Sequence, residues 1–178
     1  MKPIVTETDK RLVGHLAKKN KNKKVHVYFN KKRADGKSNY LTGSYFSSKN
    51  NKEFVYRSSY ELKFFSMLDL DTTVESYEVE SLKIPYVDEY GKSRNYIPDV
   101  IVLYKTGRIE VCEVKPKDML ENNTVQRKAK ACLSYFNKLF AGSDLDYSYR
   151  FVTEKDLFEN NTAYALFLKA NSRWVEVF

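Results

Sequence analysis

The stretch Ile97–Lys117, IPDVIVLYKTGRIEVCEVKPK, constrains the fold of this chain more than any other. Two runs rich in valine and isoleucine flank a short turn at 105–107, which predicts two adjacent strands. Because side chains alternate across a strand, Glu113 and Lys115 point the same way. If the two strands pair around the turn, Asp99 comes close to Glu113, and two carboxylates share one pocket with a lysine.

Two interpretations of that pocket follow from its chemistry. Carboxylate oxygens are the ligands that hard divalent cations prefer, and such a cation can activate a water. Alternatively, each acid only pairs with a nearby base such as Lys115 or Arg94, since an unpaired carboxylate in an apolar strand costs several kcal/mol. The combination of Asp99, Glu113 and Lys115 favours a metal site.

The order of predicted elements indicates the fold class. A helix is predicted from Ser58, where Ser58–Glu61 fits a capping box, and a second, longer helix over about 122–140. Strands are predicted at 74–79, 82–87, 94–104, 108–114 and 147–152, with final strands at 164–168 and 174–178. Residues 40–54 are predicted to be an extended, loop-rich cover over the core. This order predicts an α/β (α+β) fold with a mixed central β-sheet flanked by helices.

Length and composition indicate one soluble domain. The chain has 178 residues, of which 42% are apolar and 30% charged, as in ordinary globular proteins. No apolar run reaches the roughly 18–20 residues of a membrane span, and the charged N-terminus predicts no secretory signal. Cys112 and Cys132 are predicted to be buried free thiols rather than a disulfide, and His15 and His26 are not placed as metal ligands.

The net positive charge comes from one N-terminal window. The net charge is +8, and residues 18–37 carry nine basic side chains against the single acid Asp35, so the remainder is neutral. Such a block suits a polyanion such as a nucleic acid, because each neutralised phosphate releases a condensed counterion. The alternative is a solvated arm that only aids solubility. The predicted DNA contacts in this window are Lys18, Lys19, Lys21, Lys23, Lys24, Lys31, Lys32 and Arg33.

Three helical residues have two possible roles each. Glu61 either closes the capping box at Ser58 or points toward the sheet as a third acid, and the two roles compete for one side chain. Gln126 and Lys130 lie about one turn apart on the long helix, beside its apolar face. They either reach a phosphate of bound DNA near the pocket or remain in solvent.

The pattern Glu61, Pro98-Asp99 and Glu113-Val114-Lys115 resembles the PD-(D/E)xK nuclease superfamily. The resemblance implies a restriction-endonuclease-like core in which Asp99, Glu113 and the Val114 backbone carbonyl bind Mg²⁺, with Mn²⁺ as a possible substitute. It implies that Lys115 positions or activates the attacking water and that Glu61 completes the site.

Longer sequence motifs narrow the resemblance to two groups within this superfamily. YRSSYEL at 56–62, IPY at 84–86, YIPD at 96–99 and EVKP at 113–116 are similar to TnsA-type transposon endonucleases. Together with NYLTGSYFSS at 39–48 and FVTEKDL at 151–157, they are even more similar to the small head-completion nucleases of tailed phages. The similarity covers roughly residues 40–157.

The resemblance implies an Mg²⁺-dependent DNA endonuclease that hydrolyses phosphodiester bonds, in a phage head-completion or DNA-packaging context. The alternatives are a TnsA-like subunit that works with a transposase, and a non-catalytic DNA-binding or virion structural protein. Expected partners are DNA and phage head or portal proteins or a transposase, with no membrane, in the host cytoplasm or the virion. Residues 1–38 are predicted to be a basic extension, and 39–178 a single nuclease-like domain.

Overall fold

The computed structural model describes residues 42–172, with side chains described as far as Phe167. Its strands are β1 (Gly43–Ser47), β2 (Lys52–Tyr56), β3 (Val74–Val79), β4 (Ile84–Val87), β5 (Ser93–Tyr96), β6 (Val100–Tyr104), β7 (Ile109–Val114) and β8 (Tyr147–Val152). Its α-helices are α1 (Ser59–Leu70), α2 (Asn123–Leu139), α3 (Glu154–Leu157) and α4 (Asn161–Ser172), and a 3₁₀ turn spans Lys117–Met119.

The centre of the fold is a four-stranded sheet in the order β3-β6-β7-β8. The β3–β6 and β6–β7 pairs are antiparallel, whereas β7 and β8 are parallel, so the sheet is mixed. Helices flank it, as in restriction-endonuclease-like folds, and the predicted fold class is confirmed.

Each face of the sheet is covered by its own apolar core. Phe65 and Leu68 of α1 pack against one face, beside Val102 of β6. Cys132 and Phe136 of α2 pack against the other face, together with Ile109 and Val111 of β7. All six residues of β7 are therefore buried, as its valine- and isoleucine-rich sequence predicted. Cys112 and Cys132 are buried free thiols, also as predicted.

A two-stranded hairpin replaces the predicted loop-rich segment 40–54. Over the described residues, β1 and β2 pair antiparallel, with Tyr45 opposite Phe54. Asn51 has φ +49 in the connecting turn, a conformation that asparagine tolerates better than most residues. The sequence did not predict this hairpin, because the segment is too polar to show a clear alternation of apolar and polar side chains.

The carboxylate of Asp69 at the end of α1 holds the β1–β2 hairpin in place. Its oxygens accept hydrogen bonds from Ser47 Oγ at 2.6 Å, Ser48 N at 2.8 Å, Tyr77 Oη at 3.0 Å and Tyr45 Oη at 3.2 Å. Hydrogen bonds to a charged acceptor are stronger than those between neutral groups. One side chain thus joins the hairpin, α1 and β3.

The predicted strand 94–104 is in fact two strands. β5 ends at Tyr96 and β6 begins at Val100, because Pro98 between them lacks an N–H group for the ladder. β5 pairs with β4 in a separate hairpin that packs against α2 through Ile84 and Tyr96. The predicted strand 82–87 accordingly belongs to this hairpin and not to the central sheet.

The C-terminal part of the described chain is helical. Residues 164–168, predicted to be a strand, lie in α4, and the predicted strand 174–178 lies outside the described residues. Asn160 Oδ1 accepts a hydrogen bond from Ala163 N at 2.9 Å at the start of α4. Tyr164 packs against Tyr60 and Phe158, which holds α4 against α1. Across residues 42–172, no helix is long and apolar enough to cross a membrane.

Candidate active site

The turn between β6 and β7 sets the register of the site. Gly107 has φ +88, and Tyr104 N donates to Arg108 O at 2.9 Å, which closes the turn. Val100 is then the partner of Cys112, so Asp99, one residue earlier, comes to lie beside Glu113. The pairing of the two strands around residues 105–107 is the one that the sequence predicted.

The Nζ atom of Lys115 contacts all three groups of the predicted metal site. It lies 3.1 Å from Glu113 Oε1, 3.2 Å from the Val114 carbonyl oxygen and 3.5 Å from Asp99 Oδ2. Asp99 Oδ2 also accepts a hydrogen bond from Val114 N at 2.8 Å. The structure therefore brings Asp99, Glu113, the Val114 carbonyl and Lys115 together at the end of β7.

The site is acidic and largely buried. The side chain of Glu113 is 3% exposed and that of Asp99 is 21% exposed. Burial first, and then the charge of Glu113, raise the pKa of Asp99 to about 7, while Lys115 opposes the shift. Burial alone would lower the pKa of Lys115, but Asp99 and Glu113 outweigh it and raise this pKa. Lys115 is thus an ammonium between two acids.

The donor set suits a hard divalent cation. In the described part of the chain, no three side chains among His, Cys, Asp and Glu form a group that could hold a metal by themselves. The set is instead two carboxylates and the Val114 carbonyl, all oxygen donors, and all three already contact one cationic group, the Lys115 ammonium. Oxygen donors of this kind fit Mg²⁺ or Mn²⁺ rather than softer metals.

Glu61 lies at the start of α1 with both carboxylate oxygens bonded locally. Oε1 accepts from Ser58 Oγ at 3.0 Å, and Oε2 accepts from Arg57 N at 2.9 Å. Glu61 N donates to Ser58 Oγ at 3.1 Å, so Ser58 is the N-cap, but the Glu61 carboxylate bonds the backbone of Arg57 and not that of Ser58 as the predicted capping box requires. Burial raises the pKa of Glu61 despite these bonds. Glu61 is near enough to add to the rise of the Asp99 pKa, and its role as the accessory carboxylate stays a prediction.

Two comparisons with known proteins bear on this site. Residues 71–154 match a family model described as "TnsA-like endonuclease N terminal", and the match includes Asp99, Glu113 and Lys115 but not Glu61. The chain is also similar to the "Head completion nuclease" of Enterobacteria phage T4, with 34% identity over 67 residues. That alignment covers 37% of this chain and 45% of the relative, so it spans less than half of either protein.

The chain resembles both groups of PD-(D/E)xK-like nucleases. The two resemblances that the sequence motifs around the site predicted are therefore confirmed. The family match over residues 71–154 contains both β6 and β7. The assignment of roles to single residues depends on the geometry described above.

Tyr96 is a site residue that sequence reasoning did not single out. Its ring is 1% exposed, and its Oη donates a hydrogen bond to Glu113 Oε2 at 2.6 Å. The hydroxyl of Tyr149 lies 3.1 Å from the same Oη. A buried tyrosine hydroxyl usually has a polar partner. A tyrosine three residues before Asp99 was therefore the available sequence signal that its hydroxyl could reach the acidic site.

The lysine of α2 that lies beside the site is Lys128 and not Lys130, the lysine that the sequence predicted. Gln126 is exposed, and its Nε2 donates to the Leu120 carbonyl at 2.6 Å, while Lys130 is exposed on α2. Neither residue contacts Asp99, Glu113 or Lys115, and their proposed DNA contacts stay predictions. Lys128, however, is partly buried and places Nζ 5.6 Å from the centre of the Tyr96 ring. The eight predicted DNA-binding residues from Lys18 to Arg33 lie outside the described residues.

Proposed function

We propose that this protein is a divalent-metal-dependent endonuclease that hydrolyses phosphodiester bonds in DNA, with Mg²⁺ as its cation and Mn²⁺ as a substitute. The observation that carries the proposal is the convergence of Asp99, Glu113, the Val114 carbonyl and Lys115 within the segment that matches TnsA-like endonucleases. The T4 relative is named a nuclease in its own right, which supports the same reaction class.

In this proposal Asp99, Glu113 and the Val114 carbonyl hold the cation. When bound, Mg²⁺ supplies positive charge to the scissile phosphate and lowers the pKa of an attacking water. The burial of Glu113 keeps competing water away from its carboxylate, and its hydrogen bond from Tyr96 fixes the orientation of that carboxylate.

Lys115 acts as a charged donor. In the metal-free protein the two neighbouring acids outweigh burial and raise the pKa of Lys115, which favours the ammonium form. It therefore positions the attacking water or a phosphate oxygen through hydrogen bonds. Glu61 takes the accessory position if its carboxylate turns away from Ser58 and Arg57, and otherwise remains the cap of α1.

The biological setting we propose is phage head completion or DNA packaging, in the host cytoplasm or the virion, with head or portal proteins as partners. The similarity to the T4 head completion nuclease favours this setting. A second candidate is the DNA-cleaving subunit of a transposition system with a transposase as partner, favoured by the family match over 71–154. The complete set of Asp99, Glu113 and Lys115 argues against a non-catalytic DNA-binding or virion structural protein.

The direct test is cleavage of supercoiled plasmid DNA with Mg²⁺, with Mn²⁺ or with EDTA. The wild type should nick DNA only with a divalent cation, and Asp99→Ala and Lys115→Ala should not. Matched controls are Asp144→Ala and Lys105→Ala, which change exposed residues outside the site and should leave cleavage intact. If the wild type nicks no DNA with either cation, both alone and with a transposase and its transposon end, or if both site variants nick as well as the controls, the proposal is wrong.

A requirement for a transposase would decide between the two settings. The head-completion setting expects cleavage by the protein alone, whereas the TnsA-like setting expects activity only when a transposase presents a transposon end. Adding such a transposase to an otherwise inactive preparation separates the two.

A further inference from the structure

Lys128 is a cation beside the site that no acid neutralises within the described chain. None of the ion pairs found there includes Lys128. Its Nζ lies instead over the face of the Tyr96 ring, at 5.6 Å from the ring centre. The hydroxyl of that ring bonds directly to Glu113. One aromatic side chain thus connects this ammonium to a carboxylate of the proposed metal site.

The position of Lys128 along α2 agrees with that contact. Cys132, four residues later, is buried near the sheet, and burial and then the charge of Glu113 raise the pKa of its thiol. Residues four apart lie on one side of a helix, so Lys128 stands one turn above Cys132. The influence of Glu113 on the Cys132 thiol and the contact of Lys128 with Tyr96 both place this side of α2 near the site.

We propose that Lys128 binds a backbone phosphate of the DNA and fixes its position relative to Asp99, Glu113 and Lys115. The inference rests on the proposed function and adds a positioning residue to it. The aliphatic stem and the ring hold the ammonium at one place without neutralising its charge, which remains available to an anion. Because the ring is itself held by Glu113, the phosphate contact and the site keep a constant separation.

The competing explanation is that Lys128 only packs on Tyr96. An exposed cation–π contact contributes roughly 0.5–1 kcal/mol, enough to explain the contact without DNA. Lys128→Met keeps a long apolar side chain over the ring but removes the charge, and Lys128→Arg keeps the charge. Lys138→Met is the matched control, because it removes the same charge from an exposed position in the last turn of the same helix, where no DNA contact is predicted.

Binding is measured first, by fluorescence anisotropy of a labelled 30-base-pair duplex in EDTA over a range of KCl concentrations. Lys128→Met should weaken binding several-fold and lower the slope of log K against log [KCl] by about one. Lys138→Met should change both less, and Lys128→Arg should restore most of the affinity. If Lys128→Met and Lys138→Met have equal effects, or if Lys128→Met binds like the wild type, the assignment of Lys128 is wrong.

Single-turnover cleavage with Mg²⁺ and saturating protein then tests positioning. Lys128→Met should cleave more slowly than Lys138→Met even when all DNA is bound, and Lys128→Arg should recover most of the rate. Equal rates for the two Met variants would overturn the positioning role while leaving the endonuclease proposal intact. If binding depends on Lys128 but no form of the protein cleaves with Mg²⁺ or Mn²⁺, either alone or with a transposase and its transposon end, the contact stands and the endonuclease proposal falls. A wild type that does not bind the duplex overturns both.

Discussion

The Oη atom of Tyr96 donates a 2.6 Å hydrogen bond to Oε2 of Glu113. The other carboxylate oxygen of Glu113 lies 3.1 Å from the ammonium of Lys115. A neutral donor therefore occupies one oxygen of this buried acid and leaves the second for a cation. Tyr96 contributes no charge to the site, so we expect it to act through the orientation that it gives to Glu113.

The variant Tyr96→Phe tests that orientation. It keeps the ring that packs in the core and removes one hydrogen bond, so we expect a loss of unfolding free energy of about 1–3 kcal/mol. We also expect a higher Mg²⁺ concentration for half-maximal plasmid cleavage, because Oε1 is no longer held toward the site. Tyr149→Phe is the control, since its hydroxyl contacts Tyr96 and not Glu113. An Mg²⁺ dependence identical to that of the wild type would show that the bond is only structural.

Lys115 and a divalent cation contact the same oxygens in our proposal, which predicts opposite effects of Lys115→Met on stability and on metal response. Without the ammonium, two buried carboxylates face each other, so the metal-free variant should unfold at a lower temperature than the wild type. Mg²⁺ should then raise its melting temperature by more than it raises that of the wild type. Cleavage should be lost. Lys105→Met provides the control, and a smaller Mg²⁺-induced shift in Lys115→Met would contradict the shared oxygens.

The raised pKa of Asp99 predicts how the metal-free stability changes with pH. The folded-state pKa of about 7 lies above the ordinary value of 3.8, so the folded protein binds a proton that the unfolded chain releases between these pH values. The free energy of unfolding therefore falls as pH rises through this window. Asp99→Asn removes this penalty, and its stability relative to wild type should increase from pH 4 to pH 7. Urea unfolding in EDTA measures it, and a constant difference would contradict the assignment.

Asp69 should show the opposite pH dependence. Burial acts to raise its pKa, but hydrogen bonds from Ser47, Ser48 and Tyr77 outweigh burial and lower it. The stabilisation is present above the ordinary pKa of 3.8 and is lost as pH falls through the lower folded-state pKa. Asp69→Asn should cost roughly 1.5–3 kcal/mol at pH 7 and much less at pH 2 in urea unfolding. A cost that does not depend on pH would mean that the charge of Asp69 contributes nothing.

The sequence predicted the centre of the site because that part of the fold is local. Asp99 and Glu113 are joined by one tight turn, and strand alternation alone places Lys115 beside Glu113. The valine- and isoleucine-rich β7 likewise indicated a strand covered on both faces. Turn chemistry, alternation and apolar content each depend on neighbours in the chain, so a sequence carries them directly.

The contacts that sequence reasoning missed join residues far apart in the chain. The ring of Tyr96 meets Lys128 only because α2 folds back over the sheet, and Asp69 meets Ser47 only because the hairpin docks on α1. The pattern of residues 164–168 fitted a strand, but aromatic packing of Tyr164 on Tyr60 and Phe158 accompanies a helix there. Such contacts depend on tertiary packing, which overrides the local preference of a short segment.

The N-terminal block gives a prediction that depends on charge alone. We propose that residues 1–38 are a basic extension that binds DNA without sequence preference, attached to a single nuclease-like domain at 39–178. Changing Lys18, Lys19, Lys21, Lys23 and Lys24 to glutamine should weaken duplex binding and reduce the slope of log K against log [KCl] by up to about 4.5, or about 0.9 for each phosphate that is no longer neutralised. The same five changes to arginine keep the charge and should leave the slope unchanged. Single-turnover cleavage at saturating protein and low salt should also stay near the wild-type rate in the glutamine variant, since the block lies outside the segment that contains the site.

The binding measurement can contradict this proposal. If the slope of log K against log [KCl] is the same for the glutamine variant and the wild type, the block does not bind DNA and only aids solubility.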